Sequence, residues 1–235
     1  MDTSRFTLRD VIALWLLGAS CFVIMAAFAS AYDRFPGDLW LTRQFQAVDS
    51  SLVVKPMGWA ESLVEWPYWG FISVIAATAA VLLVGLRVMP VVALAVLSRE
   101  LVPLLKDIIG RPRPSSGLVH VTRPMPDSSF PSGHAFNSVL LFGLIFYVAT
   151  FYVSQRTLRR AVQAVCGLAI PMASLARVHD GLHWPSDIAA GLLLGLLLVT
   201  LLVVAGESLP GGKMARRPGH QHADPYPGPG SAATP

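Results

Sequence analysis

The chain has 235 residues, of which 54% are hydrophobic and only 14% are charged, and its mean hydropathy is +0.56. Soluble domains carry about 25% charged residues, so this composition excludes an ordinary water-soluble domain. The net charge of +4 comes from basic residues spread along the chain rather than massed in one patch, and we therefore expect no nucleic-acid partner.

Six apolar segments of the chain are predicted to cross a membrane as helices. They cover residues 11–32, 67–86, 88–105, 131–154, 161–179 and 185–206. A cleaved signal peptide is the alternative for the first segment, because Ala-x-Ala occurs at 29–31; the run is long for such a peptide, and we expect a retained helix. In the third segment, Pro90 and Pro103 predict interruptions. The predicted fold class is all-α, a polytopic membrane protein built as a six-helix bundle.

The segment 33–66 combines apolar and polar residues at helical spacing, which predicts a helix lying in the membrane interface. Aromatic residues in and after this segment predict a belt at the membrane surface, with a role in gripping lipid as the alternative. These residues are Trp40, Trp59, Trp66, Tyr68 and Trp69. Both cysteines, Cys21 and Cys166, lie in apolar runs and are predicted to be buried thiols rather than a disulfide framework.

Two local patterns concern the last three spans. Residues 155–160 are strongly basic and are predicted to form a short loop between the fourth and fifth spans. Gly191 and Gly195 form a GxxxG pattern in the sixth span, which predicts close packing against another helix.

An even number of spans places both termini on one side of the membrane. Outside the motifs described below, that side carries nine basic residues and the other side five. The nine are Arg5, Arg9, Arg87, Arg156, Arg159, Arg160, Lys213, Arg216 and Arg217, and the five are Arg34, Arg43, Lys55, Arg111 and Arg123. The excess predicts cytoplasmic termini, with the loops 33–66, 107–130 and 180–184 outside. Residues 1–206 are predicted to form the membrane domain, and the polar residues 207–235 a disordered cytoplasmic tail.

Three short patterns of ionisable residues lie at or near the ends of these spans. They are Lys106-x6-Arg113-Pro114, Pro131-Ser132-Gly133-His134 and Arg177-x5-His183-x3-Asp187. Charges at membrane depth are costly and normally mark a functional site. A guanidinium fork and an ammonium point charge both suit phosphate oxygens, so the three cations predict a positively charged phosphate pocket on the outer face.

The second pattern opens a predicted helix. Free amides at a helix N-terminus bind anions, and Gly133 lets the backbone approach a ligand closely. The Ser132 hydroxyl has two open interpretations, a phosphate contact or a helix cap. His134 lies in the first turn, where an imidazole is suited to protonating a leaving oxygen.

His183 and Asp187 are four residues apart and therefore share one helix face. A carboxylate there can hold one imidazole nitrogen and leave the other free to attack. A metal site that uses His179, Asp180 and His183 is the alternative, but three nearby cations repel a metal ion, and we expect neither metal nor cofactor. Arg99, seven residues before Lys106, is expected to pair with a buried carboxylate, with support of the site as the alternative.

Together, the three motifs resemble the tripartite signature of the type-2 phosphatidic acid phosphatase superfamily, a family of membrane lipid phosphatases. The resemblance covers about residues 106–191 and includes the stretches SFPSGHA and HWPSD. One position departs from the family pattern. Ala176 stands where the family usually has a serine, which removes a hydroxyl contact to phosphate or to a neighbouring residue.

The resemblance implies a role for each motif residue. His183 would be the nucleophile that forms a phosphohistidine, Asp187 would orient it, and His134 would protonate the leaving group. The remaining positions would hold the phosphoryl oxygens; they are Lys106, Arg113, Ser132, Gly133 and Arg177.

We therefore predict an integral lipid phosphatase in the cell membrane with an extracytoplasmic site and no cofactor. Its substrate would be a polyprenyl diphosphate, phosphatidylglycerol phosphate or phosphatidic acid. The alternatives are a lipid phosphotransferase that uses the same intermediate and a non-catalytic lipid-phosphate transporter or binding protein. Against the last, His183 and Asp187 are retained and no internal repeat is visible.

Overall fold

The computed structural model describes residues 8–208, which form nine α-helices and no β-strand. The helices are α1 (Leu8–Ala31), α2 (Asp38–Gln46), α3 (Ser51–Ser62), α4 (Tyr68–Val84), α5 (Met89–Leu97), α6 (Leu101–Ile109), α7 (Gly133–Tyr152), α8 (Arg156–His179) and α9 (Pro185–Ser208). The predicted tail lies outside the described residues, apart from its first two positions, which complete α9.

Four of these helices are long and apolar enough to cross a membrane, so the chain is a multi-pass membrane protein. They are Arg9–Ala31, Gly133–Tyr152, Arg156–His179 and Pro185–Gly206. The apolar helix α4 is shorter, with 17 residues. The predicted third span is divided into α5 and α6 by a 3-10 turn at Ser98–Glu100. The count of six spans and the side of the termini stay predictions.

The two prolines of the third span begin helices rather than kink one. Pro90 lies in the first turn of α5, and Pro103 lies in the first turn of α6. A first-turn residue has no intrahelical acceptor for its N–H, so proline is tolerated there. The interruptions predicted from these prolines are therefore present.

The basic stretch 155–160 is helical, and the prediction of a loop there is wrong. Gln155 is the N-cap of α8, and Arg156 is the first helical residue. Arginine and leucine are good helix formers, and an arginine at the end of a membrane helix can extend its head group toward water. The apolar run marks only the part of α8 that suits the membrane, and the helix itself begins earlier.

The two cysteines differ in burial, so the prediction of two buried thiols is wrong for Cys21. Cys21 is exposed on α1, whereas Cys166 is buried among the helices. Helix α1 is apolar on all sides and leaves Leu17 and Ile24 exposed as well. A helix that is apolar on every side carries no pattern to show which face contacts protein.

Helices α7 and α9 pack closely at the GxxxG pattern, which confirms the predicted contact. A Cβ added to Gly191 would lie 2.5 Å from the carbonyl oxygen of Ser132. A Cβ added to Gly195 would lie 2.8 Å from the Cβ of Val139. The missing side chains therefore let the start of α7 lie directly against α9, which brings the second and third motifs together.

Gly191→Ala is expected to lower the melting temperature in detergent, because a backbone carbonyl cannot move aside as a side chain can. Overpacking of this kind costs about 1–3 kcal/mol. The matched control is Gly167→Ala on α8, where nothing lies within 4 Å of the added Cβ. Alanine is the better helix former, so this control should melt at or slightly above the wild-type temperature. Equal melting temperatures for the two variants would contradict the packing described here.

The segment 33–66 forms two short helices rather than the single helix predicted, and polar side chains of both enter the protein. The position of this segment in the membrane interface stays a prediction. Asp38 and Thr42 of α2 and Glu61 of α3 are buried. Helix α2 contacts α8 and α9, and α3 packs along α8. The belt aromatics Trp40, Trp59, Trp66 and Tyr68 are largely exposed. Trp69 differs from them, because the Arg99 guanidinium lies 3.6 Å from its ring centroid.

Candidate active site

The two cations of the first motif share one carboxylate. Lys106 lies in the last turn of α6, which ends at Gly110 with φ +67°. Asp127 accepts hydrogen bonds from Lys106 Nζ and from Arg113 Nη2, the latter at 2.7 Å. Burial alone would raise the pKa of Asp127, but the bonds and charges of Lys106 and Arg113 outweigh it and lower the pKa to about 2. Asp127 was not predicted as part of the site.

The second motif begins α7, and Ser132 is its cap. The buried Ser132 Oγ accepts from the Ala135 N–H at 3.4 Å. The Ser132 N–H donates to the Asp187 carbonyl oxygen at 3.0 Å, which ties the second motif to the third. His134 lies in the first turn, with Nε2 3.3 Å from the Glu65 carboxylate. Of the two interpretations of the Ser132 hydroxyl, the structure shows the capping contact.

The third motif spans the turn between α8 and α9. Gly181, with φ +68°, permits this turn, and a Cβ there would lie 2.0 Å from the His120 carbonyl oxygen. The backbone N–H of His183 donates to the Arg177 carbonyl oxygen at 3.2 Å. His183 Nε2 lies 3.2 Å from Arg113 Nη1, and Nδ1 lies 3.5 Å from Asp187 Oδ2. The second distance is near a hydrogen bond, but Nδ1 makes none in this geometry. The fold thus brings the first and third motifs together at His183.

The surroundings of His183 disfavour the charged form of its imidazole. Complete burial and then the charges of Arg113, Arg177 and Lys106 hold the pKa of His183 well below its usual value. A neutral imidazole carries a proton on one nitrogen and a lone pair on the other. With the proton on Nδ1 beside Asp187, the lone pair of Nε2 faces Arg113. This arrangement gives an activated nitrogen next to a cation.

Arg111 lies in the predicted loop after α6, but its side chain turns into the interior of the site. Its side chain is only 1% exposed and donates to Asp187 Oδ1 at 2.5 Å and to Asp38 Oδ2 at 2.8 Å. Ser186 also contacts both groups, as acceptor from Arg111 at 2.9 Å and donor to Asp38 at 2.7 Å. The one feature of the sequence that could have indicated a role for Arg111 in the site is its position two residues before Arg113. No feature of the sequence pointed to Asp38 or Ser186 as part of a site.

Two carboxylates also face the site, Glu61 in the last turn of α3 and Glu65 in the bend that follows this helix. Glu61 Oε1 lies 2.5 Å from Arg177 Nη1. Glu65 accepts from Arg123 Nη2 at 2.8 Å and lies beside His134. The pKa of Glu65 is lowered to about 2, first by the hydrogen bond from His134 and then by Arg123, against the opposing effect of burial. Both residues lie in the segment interpreted as interfacial.

The site is not the positively charged pocket that the motifs predict, because acidic side chains pair with its cations. Five basic and five acidic side chains face one another in these ion pairs. The basic ones are Lys106, Arg111, Arg113, Arg123 and Arg177, and the acidic ones are Asp38, Glu61, Glu65, Asp127 and Asp187. An arriving phosphate must therefore replace carboxylates on the cations.

One group of described residues has the donor atoms for a metal ion. Ligand atoms of Glu61, Glu65 and His134 lie within 4.8 Å of one another. The same two carboxylates already pair with Arg177 and Arg123, which neutralise the charge that a metal ion needs. The alternative set of His179, Asp180 and His183 does not converge in this way within residues 8–208, and His179 Nε2 lies 3.1 Å from the Val48 carbonyl oxygen.

A polar cavity of about 330 Å³ opens beside the first two motifs. Its lining includes Lys106, Asp127 and Gly133. Arg99 lines it too, and within residues 8–208 no carboxylate lies within ion-pair distance of Arg99. The buried ion pair expected for Arg99 is therefore wrong. Ala176, the position that departs from the family motif, is buried next to Arg177.

Comparison with known proteins relates this chain to one family. The model of the PAP2 superfamily matches residues 84–208, more than half of the chain. Phosphatidylglycerophosphatase B of Bacillus subtilis (strain 168) is 32% identical over 106 residues, which are 44% of this chain and 50% of that protein. Lipid phosphate phosphatase delta of Arabidopsis thaliana is 30% identical over 114 residues, which are 45% of this chain and 27% of that protein.

The match therefore spans half or less of each of these two relatives. A solved structure shares the fold over almost its whole length. The crystal structure of a transmembrane PAP2 type phosphatidylglycerolphosphate phosphatase from Bacillus subtilis superposes with a TM-score of 0.71 at 20% identity. The superposition covers 83% of this chain and 97% of that one. At this level of identity, the likeness shows a common fold.

Proposed function

Since the chain belongs to the PAP2 superfamily, we propose that it is an integral membrane phosphatase that removes the terminal phosphate of a lipid phosphate or diphosphate. The observation that carries this proposal is the position of His183, whose Nε2 lies 3.2 Å from Arg113 and whose Nδ1 faces Asp187. The names of the two relatives, a phosphatidylglycerophosphatase and a lipid phosphate phosphatase, support a lipid substrate. Phosphatidylglycerol phosphate, a polyprenyl diphosphate and phosphatidic acid are the candidates.

The proposed reaction has two steps through a phosphohistidine. In the first, the lone pair of His183 Nε2 attacks phosphorus, the bond from phosphorus to the lipid oxygen breaks, and His134 donates a proton to that oxygen. Asp187 stabilises the positive charge that forms on the imidazole. In the second, water attacks phosphorus, gives its proton to His134, and the bond to Nε2 breaks. Inorganic phosphate leaves, and both histidines return to their first state.

Lys106, Arg113, Arg177 and the Gly133 amide are the proposed phosphate ligands. Fixed donors around the transferring group supply most of the stabilisation in phosphoryl transfer. The Ser132 hydroxyl contributes by capping α7, which fixes the amides of its first turn. No step requires a metal ion, because the cations neutralise the charge that develops on the phosphoryl oxygens.

Asp127 occupies part of this binding surface and competes with the incoming phosphate. Asp127→Asn is expected to tighten the binding of inorganic phosphate about 3- to 10-fold, since removing one competing charge is worth about 1 kcal/mol at a partly exposed site. The measurement is competitive inhibition of phosphate release by inorganic phosphate. Asp49→Asn, an exposed position with the same change in charge, is the control and should leave the inhibition constant unchanged. Weaker inhibition in Asp127→Asn would contradict the competition.

We place the site on the outer face of the cell membrane and both termini in the cytoplasm. Because Arg111 is buried in the site, only four basic residues outside the motifs remain on the proposed outer side, against nine on the other. This difference supports the same orientation by the positive-inside rule. A lipid head group would then enter sideways from the outer leaflet.

The test is an assay of phosphate release in detergent micelles with the three candidate lipids, in the presence and absence of EDTA. Release that is unchanged by EDTA is expected. Release lost with EDTA and restored by a divalent ion would overturn the metal-free reaction and favour a metal at Glu61, Glu65 and His134. Transfer of phosphate to an added acceptor without release would identify a phosphotransferase. Absence of release and of transfer from every lipid would overturn the proposed function.

A further inference from the structure

Arg99 is a cation at membrane depth without an anionic partner. It lies in the 3-10 turn between α5 and α6, half-buried, with its guanidinium over the Trp69 ring at 3.6 Å from the centroid. Its Nε is buried and makes no hydrogen bond, and no carboxylate of residues 8–208 lies within ion-pair distance. An unpaired charge in this position is costly and normally has a function.

Arg99 lines the same polar cavity as Lys106, one of the proposed phosphate ligands. Arg99 and Lys106 both line the polar cavity of about 330 Å³. They are seven residues apart, so they share one face of the α5–α6 segment and differ in depth by roughly 10 Å. On α7, Gly133 and Asn137 line the cavity, and Asn137 Oδ1 is also buried without a hydrogen bond. The cavity therefore holds a second cation and an unsatisfied acceptor, both deeper than Lys106.

A second, apolar cavity is lined by Trp69, the residue that Arg99 contacts. It has a volume of about 350 Å³ and lies between α4, α5, α7 and α8. Trp69 lines it together with Ile72, Val91, Leu144 and Val148. Trp69 lines this apolar space, which suits a hydrocarbon chain, and Arg99, over the Trp69 ring, lines the polar cavity together with Lys106. The contact between Arg99 and Trp69 therefore lies between the two cavities.

We propose that Arg99 is a second phosphate-binding residue, which binds a phosphate of the lipid substrate other than the one that is removed. This inference rests on the proposed function and deepens it. The hydrocarbon chain lies in the apolar cavity, the inner phosphate binds Arg99, and the terminal phosphate binds Lys106 and Arg113. The preferred substrates are then lipids with two phosphate groups, and Arg99 is the residue that distinguishes them from lipids with one.

The rest of the cavity lining bears on how the two phosphates are linked. Glu100 and Asp107 also line the cavity, and both are exposed. Their carboxylates repel anions, and they can accept hydrogen bonds from hydroxyl groups, as the unpaired Asn137 Oδ1 can. A linker with a hydroxyl group between the two phosphates satisfies these acceptors, whereas a single bridging oxygen does not.

The test compares Arg99→Gln and Arg99→Lys with the wild type on phosphatidylglycerol phosphate, a polyprenyl diphosphate and phosphatidic acid. For Arg99→Gln, the ratio of kcat/KM on a two-phosphate lipid to kcat/KM on phosphatidic acid is expected to fall about 10- to 100-fold, the loss expected for one charge-assisted hydrogen bond. Arg99→Lys keeps the charge and should retain part of the ratio. Lys55→Gln, an exposed residue with the same loss of charge, should retain all of it.

A selective loss on either two-phosphate lipid supports the inference, and the lipid with the larger loss identifies the linker. An equal loss on all three lipids would show that Arg99 supports the fold alone and would overturn the inference, while wild-type activity would still support the proposed function. An unchanged ratio would overturn it as well. A wild-type protein that is inactive on all three lipids would overturn both.

Discussion

Replacing His183 with alanine is expected to lower kcat for phosphate release by roughly 10⁴-fold, the scale of loss when a nucleophile is removed from a cooperating group. His183 is buried, has a lowered pKa and lies 3.2 Å from Arg113, and no other histidine of residues 8–208 has these three properties. Residual release would come from the cations and His134, which still bind and polarise the phosphate. The measurement is release of phosphate from a short-chain lipid phosphate in detergent.

The matched control for this variant is His179→Ala. His179 lies four residues earlier, is half-buried, and contacts the Val48 carbonyl oxygen rather than any motif cation. We expect the His179→Ala variant to retain most of the activity.

A second measurement tests for the phosphohistidine intermediate. Brief exposure of the wild type to radiolabelled substrate should leave acid-labile, base-stable label on the protein, and His183→Ala should carry no label. Label of the same kind on His183→Ala, or equal activity of both variants, would contradict the assignment.

Arg111→Met is expected to destabilise the protein by about 3–5 kcal/mol, the usual effect of removing one partner of a buried ion pair. The arginine is almost fully buried and is shared by Asp38 and Asp187, so its loss leaves two carboxylates without their cation. The measurement is the melting temperature in detergent. Activity should also fall sharply, because Asp187 loses one of the contacts that hold it beside His183.

Two further variants test whether the loss of stability depends on the buried position of Arg111 and on the carboxylates that it leaves unpaired. Arg43→Met removes an exposed arginine that donates only to the Leu118 carbonyl oxygen, and we expect a change of less than about 1 kcal/mol. Adding Asp38→Asn to Arg111→Met removes one of the two stranded charges and should recover part of the melting temperature but little activity. An Arg111→Met protein as stable as Arg43→Met would show that this buried network does not stabilise the fold.

The convergence of the three motifs was predictable from the sequence, whereas the acidic half of the site was not. The four-residue spacing predicted that His183 and Asp187 lie together, although His183 is in the turn before α9 rather than on a helix face. The order of the spans placed all three motifs at one end of the bundle. Glu61 and Glu65 lie more than 100 residues before Arg177, and nothing in their local pattern distinguishes them from residues of an interfacial helix. Periodicity reports which face of a helix is polar, and it does not report what that face contacts.

Arg111 and Arg113 show a second limit of prediction from the sequence. Arg111 and Arg113 stand in the same polar segment with a proline after each. Only the fold shows that Arg111 turns inward to Asp187 and that Arg113 lies beside His183. The ends of α1, α7 and α9 were located within a few residues, because length and hydropathy determine where an apolar helix crosses a membrane. The start of α8 and the exposed Cys21 depend instead on where a helix extends past the membrane and on which side faces lipid.

The balance of five basic and five acidic side chains has a consequence for how the protein meets its substrate. A site whose fixed charges cancel projects little field beyond its own rim, and it does not draw anions in from a distance. A phosphate then binds by displacing the carboxylates from the cations, and this displacement begins only when the phosphate reaches the site. The encounter rate should therefore depend weakly on ionic strength, and diffusion of the lipid within the membrane plane sets it.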